Sequence, residues 1–243
     1  MGNIYLEPIR HVYIDDETKE EFKSVTTVIS ELETEFQSDI IAEAIEKQSP
    51  ERKKEKYKGL TKQQILDYWE EENRVANEYG TKIHNILETY LKKKKFYFPT
   101  DVEEQEIINA YDELNIDLGF KYYCERILFH RKYKIAGTTD HIVDIEPDFF
   151  TVNDYKTNRV INYYSPYGNK LLKPVNFLDD CQYNVYALQL SIYAYFYEVE
   201  TGKRCRQMRL LYYDRILKKF QIIPVPYMKM EAIAILENYI KKS

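Results

Sequence analysis

The sequence predicts an α/β or α+β core with a helical N-terminal addition. Three observations lead there. Apolar residues recur at helical spacing through much of the first half. From Phe120 the chain turns to runs of β-branched and aromatic residues separated by turn signals. A helical stretch, a hairpin pattern and a last helix follow.

His11 to Ile14 reads as a short strand, Asp15-Asp16-Glu17-Thr18 as a polar turn, and Phe22 to Val25 as a return to extended chain. Helical spacing covers about Thr27 to Lys47, with a break signalled at Gln37-Ser38. Residues 49–59 are highly charged and read as an exposed connection. Thr61 with Gln64 fits a capping box, and Ile65, Leu66, Trp69, Ile83, Leu87 and Leu91 form the apolar stripe of the helix it opens. Gly80 is expected to bend or divide that helix, and the Lys92–Lys95 run to close it. Asp101 caps another helix, expected to end near Gly119. Residues 120–130, 133–145 and 149–156 form an expected antiparallel meander. Asn158 to Phe177 is a long connection of the kind that often carries function. Leu178 to Glu200 reads as helix, Arg206–Tyr213 with Lys218–Pro224 as a hairpin, and Met228–Lys241 as a final helix. The expected organisation is a mostly helical part, 1–119, and a core, 120–243, in one compact unit.

Composition narrows the class. The chain has 243 residues, of which 44% are hydrophobic and 31% charged, which suits a globular protein and not a disordered one. No apolar run approaches the ~20 residues of a membrane span. The acidic N-terminal stretch argues against an export or transit signal, and Leu6 argues against myristoylation at Gly2. The expected location is the cytoplasm. The formal charge of −5 speaks against a protein devoted to non-specific nucleic-acid binding, but leaves room for a nucleic-acid enzyme whose metal site needs carboxylates. Cys124, Cys181 and Cys205 form no C-x-x-C pair and read as reduced thiols.

Asp154-Tyr155-Lys156 is the first candidate for chemistry. On a strand, Asp154 and Lys156 share a face that Phe150 and Val152 continue inward. A carboxylate beside an ammonium suits phosphoryl chemistry, one holding a divalent metal and the other neutralising developing charge. In a chain with 40 acidic residues an acid-x-lysine triplet is weak by itself, and an ordinary ion pair is the plain alternative. Asp140 strengthens it. Antiparallel pairing about Pro147 brings Asp140 and Asp154 together, where their repulsion calls for a cation. Glu125, one strand earlier, either reaches the same place or is a solvated strand residue. His84, in Gly80-x-x-x-His84, is read alone as an ordinary helix residue. Gln189 and Tyr193 lie one turn apart on a helix.

Taken in order, Gly80-x-x-x-His84, Gly137-x-x-Asp140, Asp154-Tyr155-Lys156-Thr157 and Gln189-x-x-x-Tyr193 resemble the RecB-like branch of the PD-(D/E)xK nuclease superfamily. The likeness spans about residues 79–213. Ser24-Val25-Thr26-Thr27-Val28-Ile29 and the 188–193 segment resemble phage-type and mitochondrial-genome-maintenance-type exonucleases. The resemblance implies a restriction-endonuclease-like core, a mixed central sheet flanked by helices. It implies Mg²⁺ or Mn²⁺ held by Asp140, Asp154, the main-chain carbonyl of Tyr155 and His84, with Glu125 near a second ion. It makes Lys156 catalytic and gives Gln189 and Tyr193 the task of positioning the scissile strand. Some relatives carry an iron–sulfur cluster on four cysteines, and this chain has three, so none is expected.

The implied activity is a metal-dependent DNA exonuclease, acting on single-stranded ends in phage or bacterial replication, recombination or repair. Its expected location is the host cytoplasm if phage-encoded, and its expected partners are DNA and the proteins of those processes. A structure-specific endonuclease and a non-catalytic DNA-binding module on the same fold are the alternatives. A two-carboxylate glycoside hydrolase leaves Lys156 and His84 unexplained. Tyr163, Tyr164 and Tyr167, with Lys170 and Lys173, follow the catalytic strand and are candidates for stacking on bases and touching phosphates. The plain alternative is a loop whose tyrosines pack locally.

Overall fold

The computed structural model describes residues 3–10, 12–93, 96–116 and 119–242. His11, Lys94 and Lys95, each part of an expected element, lie outside the described residues, as does Gly2. Eight strands form one mixed sheet: β1 (Ile4–Glu7), β2 (Val12–Asp15), β3 (Glu21–Ser24), β4 (Lys121–His130), β5 (Ile135–Glu146), β6 (Phe149–Lys156), β7 (Arg204–Asp214) and β8 (Lys219–Val225). The order is β1-β2-β3-β5-β6-β7-β8, with β4 on the other edge of β5. The helices are α1 (Val25–Ser30), α2 (Ser38–Glu46), α3 (Lys62–Lys93), α4 (Val102–Asp112), α5 (Gln182–Thr201) and α6 (Lys229–Lys242). The expected mixed α/β class is the one observed. No described helix is long and apolar enough to cross a membrane.

The chain divides into two compact units. The larger comprises residues 1–34 and 84–243. Its main core joins one sheet face, through Ile135, Ile142, Phe150, Val152 and Leu210, to α1, α5 and α6, through Val28, Leu188, Tyr197 and Ile235. On the other face the Tyr111 ring of α4 lies 6.1 Å from Tyr155 and 6.1 Å from Phe220, and Tyr122 donates to the Leu91 carbonyl (2.8 Å). These contacts tie residues 84–112 to the sheet.

The smaller unit, residues 35–83, holds α2, a 3-10 turn (Glu55–Tyr57) and the first part of α3 around Ala42, Tyr57 and Ile65. Trp69 Nε1 donates to the Tyr57 hydroxyl (2.9 Å). The capping box opens α3 as expected: the Thr61 N–H donates to Gln64 Oε1 (2.9 Å) and the Gln64 N–H to Thr61 Oγ1 (3.3 Å).

Several boundaries differ from the sequence reading. Ile4–Glu7 adds a strand, paired with β2. The helical stretch expected over 27–47 begins two residues earlier, at Val25, where Ser24 caps it; it is interrupted between residues 31 and 37 and resumes at Ser38, at the signalled break. Gly80 does not divide α3, which is continuous; one glycine costs only about 1 kcal/mol against a helix of this length. The helix capped by Asp101, which accepts from the Glu104 N–H (2.8 Å), ends at Asp112 and not at Gly119.

Candidate active site

β5 splits its neighbours. Along one edge it pairs with β4 from Ile135 to Asp144. Along the other it pairs first with β3, parallel, at Ile135 and Ala136, and then with β6, antiparallel, from His141 onward. Residues 137–140 therefore lie in a fork. The C-terminal ends of β3, at Ser24, and of β6, at Lys156, both run into it. Carboxyl ends of strands at such a switch in sheet order are where open α/β sheets bind ligands.

Three carboxylates form a row across this fork. Asp140 lies one step beyond the ladder pair His141–Asn153, which sets it opposite Asp154. On the other side Cys124–His141 and Arg126–Thr139 flank it, which sets it opposite Glu125. The strand changes face here. Ile135 joins the α5 core and Gly137 faces Tyr193, yet Ile142 joins the same core and Asp144 accepts from the Tyr197 hydroxyl (3.0 Å). Odd-numbered residues before the fork and even-numbered ones after it share a side, so alternation breaks between them. Across the break, Glu125 takes φ +49°, a left-handed conformation costing on the order of 1–3 kcal/mol that persists where its surroundings enforce it.

His84 reaches the row from α3. Its Nδ1 is 3.4 Å from Asp140 Oδ1 and its Nε2 3.2 Å from the Tyr155 carbonyl oxygen. The Tyr155 N–H donates to Asp140 Oδ2 (2.7 Å), so one residue of β6 braces both the acid and the imidazole. Ligand atoms of His84, Glu125 and Asp140 lie within 4.8 Å of one another. Asp154 is outside that trio: its Oδ2 is 2.5 Å from the ammonium of Lys156. Of the expected metal ligands, His84, Glu125 and Asp140 form the tight group, with Asp154 beside it on Lys156.

Electrostatics follow from crowding these charges away from water. Burial opposes charge on His84, but Asp140 and then Asp154 outweigh it and raise its pKa to about 9. Burial, with repulsion from Asp140 and Glu88, lifts Glu125 to about 7. Burial pushes Asp154 up; Lys156 pulls it down, Asp140 adds to the rise, and the net direction is upward. Asp140 is held below the usual range: burial works the other way, and the adjacent His84 prevails. Carboxyls driven towards protonation by one another are what a divalent cation relieves. Three carboxylates, one carbonyl and one imidazole form a hard, oxygen-rich donor set that suits Mg²⁺ or Mn²⁺. The residues present fit such an ion.

α5 covers the row with one face. Gln189 Nε2 donates to the Tyr193 hydroxyl (3.4 Å), and the buried Tyr193 ring lies against Gly137. Tyr186, one turn earlier, touches Lys156; its spacing of three from Gln189 was the signal available in the sequence, and the sequence reading passed over it. At the other edge Ser24 Oγ accepts from the Thr27 N–H (3.0 Å) and bonds the Thr26 and Thr27 hydroxyls (2.9 and 2.7 Å). The serine–valine–threonine segment is thus the cap of α1 at the mouth of the fork.

The connection after Lys156 is anchored along its length. Ile161, Leu171 and Val175 are buried, the Leu172 N–H donates to the Leu32 carbonyl (2.7 Å), and Asp180 accepts from the Thr34 N–H (2.8 Å). Tyr163, Tyr164 and Tyr167 stand 48%, 78% and 77% exposed on it, Tyr163 also lying 4.8 Å from the Tyr183 ring. Lys170 is paired with Asp179 (2.5 Å), and both Lys170 and Lys173 are exposed.

No family model matches the chain, and no curated protein matches it. Among solved structures, a candidate exonuclease from Eubacterium rectale is similar over 91% of this chain and 79% of its own, with 13% identity and a TM-score of 0.42. The structure of SSO0001 is similar over 94% and 79%, with 17% identity and a TM-score of 0.40.

Proposed function

We propose that the protein is a divalent-metal-dependent deoxyribonuclease, an exonuclease that hydrolyses phosphodiester bonds from single-stranded ends. The observation that carries this reading is the row Glu125–Asp140–Asp154 in the sheet fork, with His84 at one side and Lys156 at the other.

Asp140, Glu125, His84, the Tyr155 carbonyl and, on release from Lys156, Asp154 would hold the ion. When bound, that ion supplies Lewis-acid charge to the scissile phosphate and activates the attacking water. The chain's own groups do the rest. The Tyr155 N–H holds Asp140 in one orientation. Lys156 brings a positive charge to the phosphoryl oxygens, where negative charge grows as the water oxygen bonds to phosphorus and the ester oxygen departs. Gln189 and Tyr193 wall the fork and position the strand. Tyr163, Tyr164 and Tyr167 offer faces to unpaired bases, each stack supplying about 1–3 kcal/mol. Bases inside a duplex cannot use those faces, which favours a single strand. Affinity from a local surface of this kind suits a chain whose net charge is negative.

The test is cleavage of end-labelled single- and double-stranded DNA, linear and circular, with Mg²⁺, Mn²⁺ or EDTA. The expected result is metal-dependent loss of label from linear single strands. Circular single strands cut as fast as linear ones would overturn the requirement for an end.

A further inference from the structure

We propose that Tyr186 is a positioning residue for Lys156, holding its ammonium in the fork by the face of the ring. The rate consequence rests on the nuclease reading above; the contact does not.

Lys156 is almost enclosed, and it has two neighbours of different kinds. Asp154 Oδ2 is 2.5 Å from its Nζ, and the centroid of the Tyr186 ring is 4.2 Å from the same atom. The ring is itself held: the Tyr186 hydroxyl donates to Asn158 Oδ1 (3.1 Å), two residues beyond the lysine. Tyr186 also shares its helix face with Gln189 and Tyr193, so it belongs to the wall that covers the carboxylate row.

The two contacts answer different needs. The carboxylate is the stronger partner, but a lysine locked to it points its charge at Asp154 and not at a substrate. Asp154 also faces Asp140, and once its oxygens are engaged elsewhere the ion pair loosens. An ammonium out of water then needs a second favourable neighbour or it swings away. An aromatic face supplies that without competing for the protons the ammonium donates, and its attraction is strongest where water is excluded. Leucine fills much of the same space and has no such face.

The experiment places Tyr186→Leu, Tyr186→Phe and Asn158→Ala in the full chain, and Tyr186→Leu also in a Lys156→Met background. Melting temperatures and, with Mn²⁺ and a labelled single strand, kcat and KM are measured. Tyr186→Leu is expected to lower kcat about ten-fold or more with KM within about two-fold, and Tyr186→Phe to recover most of that loss. Asn158→Ala, which frees the ring, should fall between them. The drop in melting temperature caused by Tyr186→Leu should shrink by about half or more when Lys156 is already methionine. Equal rates for the leucine and phenylalanine variants, or an equal melting drop in both backgrounds, would overturn the proposal. A parent chain without nuclease activity sinks the rate consequence together with the nuclease reading, and the melting comparison then decides the contact alone.

Discussion

Gly137 faces Tyr193 so closely that a Cβ on it would lie 2.7 Å from Cε1 and 3.0 Å from the hydroxyl oxygen of that ring, with Val25 Cγ2 at 3.1 Å. The glycine is there for close approach. Tyr193 is buried in α5 and cannot swing out without leaving the core. Gly137→Ala is therefore expected to destabilise by about 1–3 kcal/mol through overpacking, read from urea unfolding. Adding Tyr193→Leu, which removes the ring edge, should return part of that loss. An alanine variant as stable as the parent would mean that α5 shifts freely over β5.

Asp140→Asn and Asp154→Asn are expected to separate two tasks. Asp140 belongs to the trio whose ligand atoms converge, so its loss should abolish Mn²⁺ binding by calorimetry. Asp154 is engaged with Lys156, so its variant should keep measurable, weakened binding while losing turnover. His84→Ala should weaken Mn²⁺ more than Mg²⁺, because imidazole suits the softer ion. Robust cleavage in EDTA by the parent would contradict the metal site altogether.

Lys156→Ala should remove catalysis and leave DNA affinity within about three-fold, since a group acting on charge that develops in the transition state contributes little to ground-state binding. Binding measured in Ca²⁺ and single-turnover rates in Mg²⁺ distinguish this from a simple phosphate contact, for which both would fall together.

Asp15 gives a pH dependence away from the site. Its carboxylate accepts from the N–H groups of Glu17 (2.9 Å) and Thr18 (3.0 Å) and pairs with Arg131. The Thr18 N–H, then Arg131, then the Glu17 N–H hold its pKa down at about 2. The folded value lies below the ordinary one near 3.8, so the stabilisation is complete above the ordinary value and is lost as pH falls towards 2. Asp15→Asn should be less stable than the parent at neutral pH, and the gap should close between about pH 4 and pH 2 in urea unfolding. A gap that is constant across that window would show that charge at Asp15 does not contribute.

Replacing Tyr163, Tyr164 and Tyr167 with alanine should raise KM for single-stranded DNA and leave Mn²⁺ binding unchanged. The loop is anchored by Leu171, Val175 and Asp180, so the variant should melt close to the parent. Unchanged KM would make the loop a connection only.

Local chemistry was legible in the residues themselves. The Thr61–Gln64 box, the Asp101 cap, the meander over 121–156 and the α5 helix all follow from periodicity and short-range hydrogen bonding, which act within a few residues. Asp154 and Lys156 on one face follow from the two-residue repeat of a strand. Tertiary structure decided what depends on partners far along the chain. Gly80 stays in a continuous helix because a single glycine is a small penalty for 32 residues. The break in alternation near Asp140 lies where β3 and β6 meet the same edge of β5, the left-handed Glu125 lies across from it on β4, and neither leaves a mark on the local pattern. In the folded chain the ligand atoms of His84, Glu125 and Asp140 converge, and Asp154 pairs with Lys156. Residue order therefore named the groups that gather, and strand order decided which of them touch.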